Sequence, residues 1–183
     1  MSRDAIAHLP PFGPKSEYLN VVIETPRGSA SKFKYDETLG LFVFDKNLPS
    51  GYCFPYPFGF IPSTKGEDGD PLDVLVLTDI PTFVGCGMHA KLLGVIEAEQ
   101  IEAGKTERND RFIAIPLEVK TGRPPSGSVE RFDSNLSQRI IDFFIGYNSL
   151  ESRQFKPLRC SGPLRAARLV RDASFGSAKR KVS

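Results

Sequence analysis

Short apolar runs of period two dominate the first two thirds of the chain, and helical spacing takes over in the last third. Leu19 to Glu24 (LNVVIE) is short and β-branched and predicts a strand. Lys32-Phe33-Lys34-Tyr35 alternates charge with aromatic, which predicts a strand with one wet face. Leu41 to Phe44 predicts the next strand, and Asp73 to Leu77, Leu92 to Ala98 and Phe112 to Leu117 predict three more. Between them, residues 47–71 carry prolines too dense for a helix and aromatics too many for a solvated loop. This segment is expected to pack over a core or a pocket. Glu99 to Asn109 reads as a polar loop. Asp133, Ser134 and Asn135 then offer N-caps, and Leu136, Ile140, Ile141, Phe144 and Ile145 follow at helical spacing. A second helix is expected from Gly162-Pro163, with proline in the first turn. Five to seven strands followed by two helices predict a mainly β (α+β) fold, a closed or nearly closed barrel with helices packed outside.

Composition narrows the picture. With 183 residues, 40% of them hydrophobic, the chain can fill one core of ordinary size, and 25% charge is average, which argues against disorder. The expected division is an N-terminal arm over 1–18, one domain over 19–175 and a basic tail over 176–183. No apolar run approaches the ~18 residues of a spanning helix. A net charge of +2 is too small to point to nucleic acid. Cys53, Cys86 and Cys160 are widely spaced and odd in number, against a disulfide framework or zinc knuckle. Without an apolar leader near Arg3 and Asp4, the expected compartment is the cytoplasm.

Candidate chemistry concentrates in Glu67-Asp68-Gly69-Asp70-Pro71-Leu72-Asp73. Four acids within seven residues repel one another unless cations neutralise them. Hard divalent cations such as Mg²⁺ prefer carboxylate oxygens. The plainer reading is an acidic solvated turn, since Asp and Gly are common turn residues. An EF-hand loop is excluded by the glycine position, the missing twelfth-position glutamate and the lack of flanking helices.

EDGDPLDVLVL, residues 67–77, resembles the signature of the soluble family I inorganic pyrophosphatases. The similarity extends through NVVIETPRGSASKFKYD and FPYPFGFIPS upstream, and LLGVIEAEQ and RFIAIPLEV downstream. It covers about residues 19–150 and the last helix more loosely. The resemblance implies a five-stranded OB-like barrel, a homo-oligomer, and hydrolysis of pyrophosphate with Mg²⁺ (Mn²⁺ as an alternative). It implies no membrane and no nucleic-acid partner. By motif position, Asp68 and Asp73 match metal-binding aspartates, Asp70 the general base, Glu24 a glutamate near the metals, and Lys32 a phosphate-binding lysine. Lys34 shares a strand face with Lys32 by period two, so both can meet one anion. Tyr147 matches a substrate-site tyrosine.

The departures concern the substrate shell. Lys46 stands where the family has an arginine, keeping charge but losing the bidentate fork. Phe54 and Phe58 replace two tyrosines, Lys34 stands where a glutamate is common, and Asn148 where a lysine is common. In the loop after Glu97 and Glu99, counting back from Phe112 puts Arg111 at a basic position and Asn109 at that of a metal-binding aspartate. A one-residue shift is the expected reading, with Asp110 as the third aspartate and Glu102 near an outer metal. Two rivals remain: a hydrolase of another phosphoanhydride, and a non-catalytic barrel binding metal or oligonucleotide, with Phe54, Tyr56, Phe58 and Phe60 as stacking platforms.

Overall fold

The computed structural model describes residues 6, 8–126 and 132–174. The expected tail over 176–183 lies outside them. Among the described residues there are nine strands and two α-helices: β1 (Leu19–Thr25), β2 (Ser31–Asp36), β3 (Leu41–Asn47), β4 (Phe58–Ile61), β5 (Leu72–Val76), β6 (Gly87–Glu102), β7 (Lys105–Arg108), β8 (Arg111–Pro116), α1 (Ser134–Ser149), β9 (Gln154–Ser161) and α2 (Pro163–Ala173).

Five strands close a ring in the order β1-β4-β5-β8-β6, and β6 returns to β1. All its pairings are antiparallel except β5 with β8. This is the OB-like barrel with two outer helices that the sequence predicts. Closure removes the edges that an open sheet would expose. Both faces of the ring strands are covered, which explains their continuous apolar runs. Val74 and Val76 point into a core drawn from all five ring strands and closed by Ala166 and Val170 of α2. Leu75 and Leu77, on the opposite face, pack with Ile113 and Ile115 against Leu136, Ile140 and Phe144 of α1. Asp133 caps α1 by accepting a bond from the Leu136 amide at 2.9 Å, and Pro163 opens α2.

Three elements differ from expectation. The Pro- and Gly-rich segment contains β4, whose Gly59 faces Ile23 of β1. A Cβ there would collide with the Val22 carbonyl oxygen, so the glycine that makes the segment look like a loop permits the strand pairing. Glu99 to Asn109 is no loop: β6 runs on to Glu102, turns at Ala103-Gly104 with positive φ, and pairs back as β7. Its polarity reflects a hairpin whose side chains pair across the strands. Finally, β9 lies between the helices, paired with β6, and five of its eight residues are exposed, so it shows no clean apolar alternation.

Candidate active site

Outside the ring, β2 and β3 form a separate hairpin. The Tyr35 amide of β2 donates to Glu24 Oε1 at 2.7 Å and the Phe33 amide to Thr25 Oγ1 at 3.2 Å, both acceptors on β1. These bonds fix the wet face of the hairpin opposite the loop before β5. A cavity of about 600 Å³ opens between them. Its wall includes Glu24, Lys32, Lys34, Lys46, Asp70 and Asp73. Six residues singled out from four separate stretches of sequence therefore meet at one place.

The electrostatics are those of an anion-and-cation site. Lys34 Nζ donates to Asp70 Oδ2 at 2.8 Å and Oδ1 at 3.0 Å. Burial alone would lower the Lys34 pKa, but the bond to Asp70 and its charge raise it. Lys32 Nζ lies 3.7 Å from Asp45 and over the Phe58 ring at 5.9 Å. Lys46 pairs with Glu151 and sits 5.5 Å from the Tyr147 ring centroid. Burial pushes the Glu24 carboxyl up to about 7, and Asp73 adds to the shift. Burial likewise raises Asp68 and Asp73, with their mutual charge contributing to Asp68. These are carboxylates short of positive charge.

That shortage tests the fit of a metal. No three acid, cysteine or histidine side chains converge as a metal cage among the described residues. Mg²⁺ does not require one: it takes one or two carboxylates together with water and phosphate oxygens. Asp68 and Asp73 line one cleft of about 190 Å³, and Asp73 also borders the larger cavity. Their hard oxygen donors and raised pKa values suit a divalent cation.

The remaining candidates separate. Asp110 lines the Asp68–Asp73 cleft, but its Oδ1 accepts from the Ala98 amide at 2.9 Å and from Arg108 Nε at 2.5 Å. Asn109 is in the same cleft, with Oδ1 on Arg111 Nη1 and Nδ2 on Gln100 at 3.3 Å. Glu102 joins neither cleft; its carboxylate lies 3.0 Å from Arg153 Nε. Arg111 stands opposite Asp73 in the parallel β5–β8 pairing and forms an ion pair with it at 2.7 Å. Its guanidinium rests on Phe144 and Phe155, behind the cavity wall. Tyr147 is buried and also lies behind the wall. Asn148 faces inward, donating to the Phe144 carbonyl at 2.7 Å. Phe54 and Phe58 stack at 5.0 Å in the core, and only Phe58 reaches the cavity.

Sequence reasoning missed Arg153, which lines the cavity from the start of β9. The signal was weak: a single arginine beyond a helix, ahead of a strand that was itself unrecognised. A larger cavity of about 830 Å³ lies around Arg27, Tyr56 and Arg139. Its one carboxylate, Asp79, pairs with Arg27, so it lacks the acidic cluster.

A family model described as inorganic pyrophosphatase matches residues 21–175. The inorganic pyrophosphatase of Synechocystis sp. is 36% identical over 149 residues, covering 78% of this chain and 82% of that one. That of Thermus thermophilus is 34% identical over 160 residues, covering 83% and 85%. Among solved structures, an inorganic pyrophosphatase from Thermus thermophilus superposes with a TM-score of 0.79 at 30% identity, covering 95% of this chain and 97% of that one. One from Coxiella burnetii gives 0.76 at 31% identity, covering 96% and 99%.

Proposed function

The chain belongs to the inorganic pyrophosphatase family, and we propose that it hydrolyses inorganic pyrophosphate to two phosphates in the Glu24–Asp70–Lys32 cavity with Mg²⁺ as its metal. The observation that carries this reading is the convergence of Glu24, Asp70 and Asp73 with Lys32, Lys34 and Lys46 on one cavity.

In the reaction a water oxygen bonds to one phosphorus, the bridging P–O bond breaks, and its electron pair leaves with the second phosphate. Asp70 is the carboxylate assigned to accept the water's proton, and its bond to Lys34 holds both of its oxygens on the cavity wall. Lys32, Lys34 and Lys46 are assigned to neutralise phosphate oxygens. Arg111 orients Asp73 from behind. Asp68 and Asp73 would hold the metal, with Asp110 contributing through its second oxygen. When bound, the metal supplies charge to the phosphates and acidifies water. Family membership favours this reading over other phosphoanhydrides. Burial of Phe54, Phe58 and Phe60 leaves the oligonucleotide reading with few stacking platforms.

No helix among the described residues is long and apolar enough to cross a membrane. Free thiols at Cys53, Cys86 and Cys160 support a reducing, cytoplasmic setting. Exposed Leu39, Leu41 and Phe44 on the β2–β3 hairpin support a homo-oligomer. The deciding assay is phosphate release from pyrophosphate with and without Mg²⁺, with Asp70→Asn as control. Wild type no faster than that variant would overturn the catalytic assignment.

A further inference from the structure

We propose that Arg153 is a substrate-binding residue, supplying from the position just before β9 the guanidinium fork that Lys46 cannot offer. The inference rests on the hydrolase reading and assigns one more residue to that site. Phosphate oxygens are best gripped by a planar fork of N–H donors, which a lysine does not offer. Arg153 is the one arginine on the cavity wall among the described residues, and it stands there with Lys32, Lys34 and Lys46.

Two observations show that its donors are available. Arg153 Nε is buried and makes no hydrogen bond. A Glu102 oxygen lies 3.0 Å away but off the N–H axis, so the contact is an ion pair without a bond. A buried guanidinium N–H without an acceptor is costly, and a bound anion would relieve it. The second observation concerns Lys46. Its Nζ and Arg153 Nη1 both face one oxygen, Oε2 of Glu151, the latter at 3.9 Å. One anionic oxygen therefore already reaches both cations. A phosphate oxygen placed between them would meet a lysine point charge on one side and a guanidinium fork on the other. Asn148, at the end of α1, is turned inward and offers nothing to the cavity. Arg153, five residues on and just ahead of β9, places positive charge on the cavity wall instead.

The test uses the full chain carrying Arg153→Gln, Arg153→Lys or Glu102→Gln. Two readouts are taken: steady-state pyrophosphate hydrolysis, and calorimetric binding of methylenediphosphonate in Mg²⁺, which requires no turnover. Arg153→Gln is expected to weaken analogue binding and raise KM about tenfold or more, the size of a lost charge-assisted bond. Arg153→Lys should recover only part, because charge returns without the fork. Glu102→Gln, which removes the ion-pair partner alone, should leave both values at wild type. Melting temperatures identify any variant that fails to fold, and the conservative Arg153→Lys then decides. The proposal is overturned if Arg153→Lys matches wild type in analogue affinity and KM, or if Glu102→Gln reproduces the Arg153→Gln loss. Wild type that binds the analogue but does not cleave pyrophosphate overturns the hydrolase reading and leaves the Arg153 assignment to the binding data.

Discussion

Lys34 Nζ bridges both carboxylate oxygens of Asp70, at 2.8 and 3.0 Å, across the mouth of the cavity. The lysine occupies the wet face of β2, and the aspartate sits beside Gly69, whose φ of +89° sets the tight turn. Both side chains remain about half exposed, at 45% and 56%.

Exposed ion pairs contribute only ~0.2–1 kcal/mol, so the pair serves chemistry more than folding. Asp70→Asn is expected to lower kcat by about 10² or more while the melting temperature moves by a few degrees at most. Equal losses of activity and of folding would remove Asp70 from the base role.

The two phenylalanines at tyrosine positions should respond in opposite ways. Phe58 reaches the cavity, so Phe58→Tyr can add a hydrogen bond to substrate worth about 0.5–1.5 kcal/mol, seen as a lower KM. Phe54 is 1% exposed in the core. Its hydroxyl variant buries an unpaired polar group, and Phe54→Tyr should cost about 1–3 kcal/mol of stability with KM unchanged. Denaturant melts and initial rates on both variants settle the distinction.

Metal dependence separates the acids of the β6–β8 region. Asp110 borders the Asp68–Asp73 cleft and Glu102 does not. Asp110→Asn should raise the Mg²⁺ concentration for half-maximal activity several-fold, and Glu102→Gln should leave it alone. Should Asn109→Ala raise it while Asp110→Asn does not, the ligand position belongs to Asn109.

Glu97 has a different task. It is 1% exposed and accepts bonds from Arg108, Arg159, Arg165 and Ser161. Burial would raise its pKa, but these partners drive it well below the usual carboxylate range. A depressed folded pKa means stability that is present above the unfolded value of about 4.3 and lost as pH falls below it. Glu97→Gln should therefore cost roughly 2–3 kcal/mol at pH 7, less than a fully buried pair because the arginines are partly exposed. The gap between variant and wild type should narrow in melts taken below pH 4. A gap that stays constant with pH would show that charge is not the cause.

Much of this architecture is written locally. The apolar runs from Leu19, Asp73 and Phe112 and the spacing from Leu136 to Ile145 mark strands and a helix because burial demands those periods. The β4 strand was hidden because Gly59 answers to a neighbour's backbone, the Val22 carbonyl, which no local pattern records. The acidic cluster Asp68–Asp70–Asp73 is legible because it crowds into one short segment. Arg153 and the Arg111–Asp73 pair are not, since their meaning arises from pairing between distant strands: β8 beside β5, and β9 starting at the cavity rim. The inward turn of Asn148, bonded to the Phe144 carbonyl, is set once α1 packs on the barrel.

The seam where β6 meets β1, from Leu19 opposite Ala90 to Val22 opposite Gly87, joins segments about seventy residues apart. Such a contact pays its loop-closure entropy before it is rewarded. The barrel should consequently fold in milliseconds to seconds, with the short hairpins forming first and the seam near the end. Because Glu24 leaves β1 just beyond that seam, the assembled cavity would be among the last features to appear during refolding. Regain of activity after dilution from denaturant should then lag the recovery of β-sheet signal.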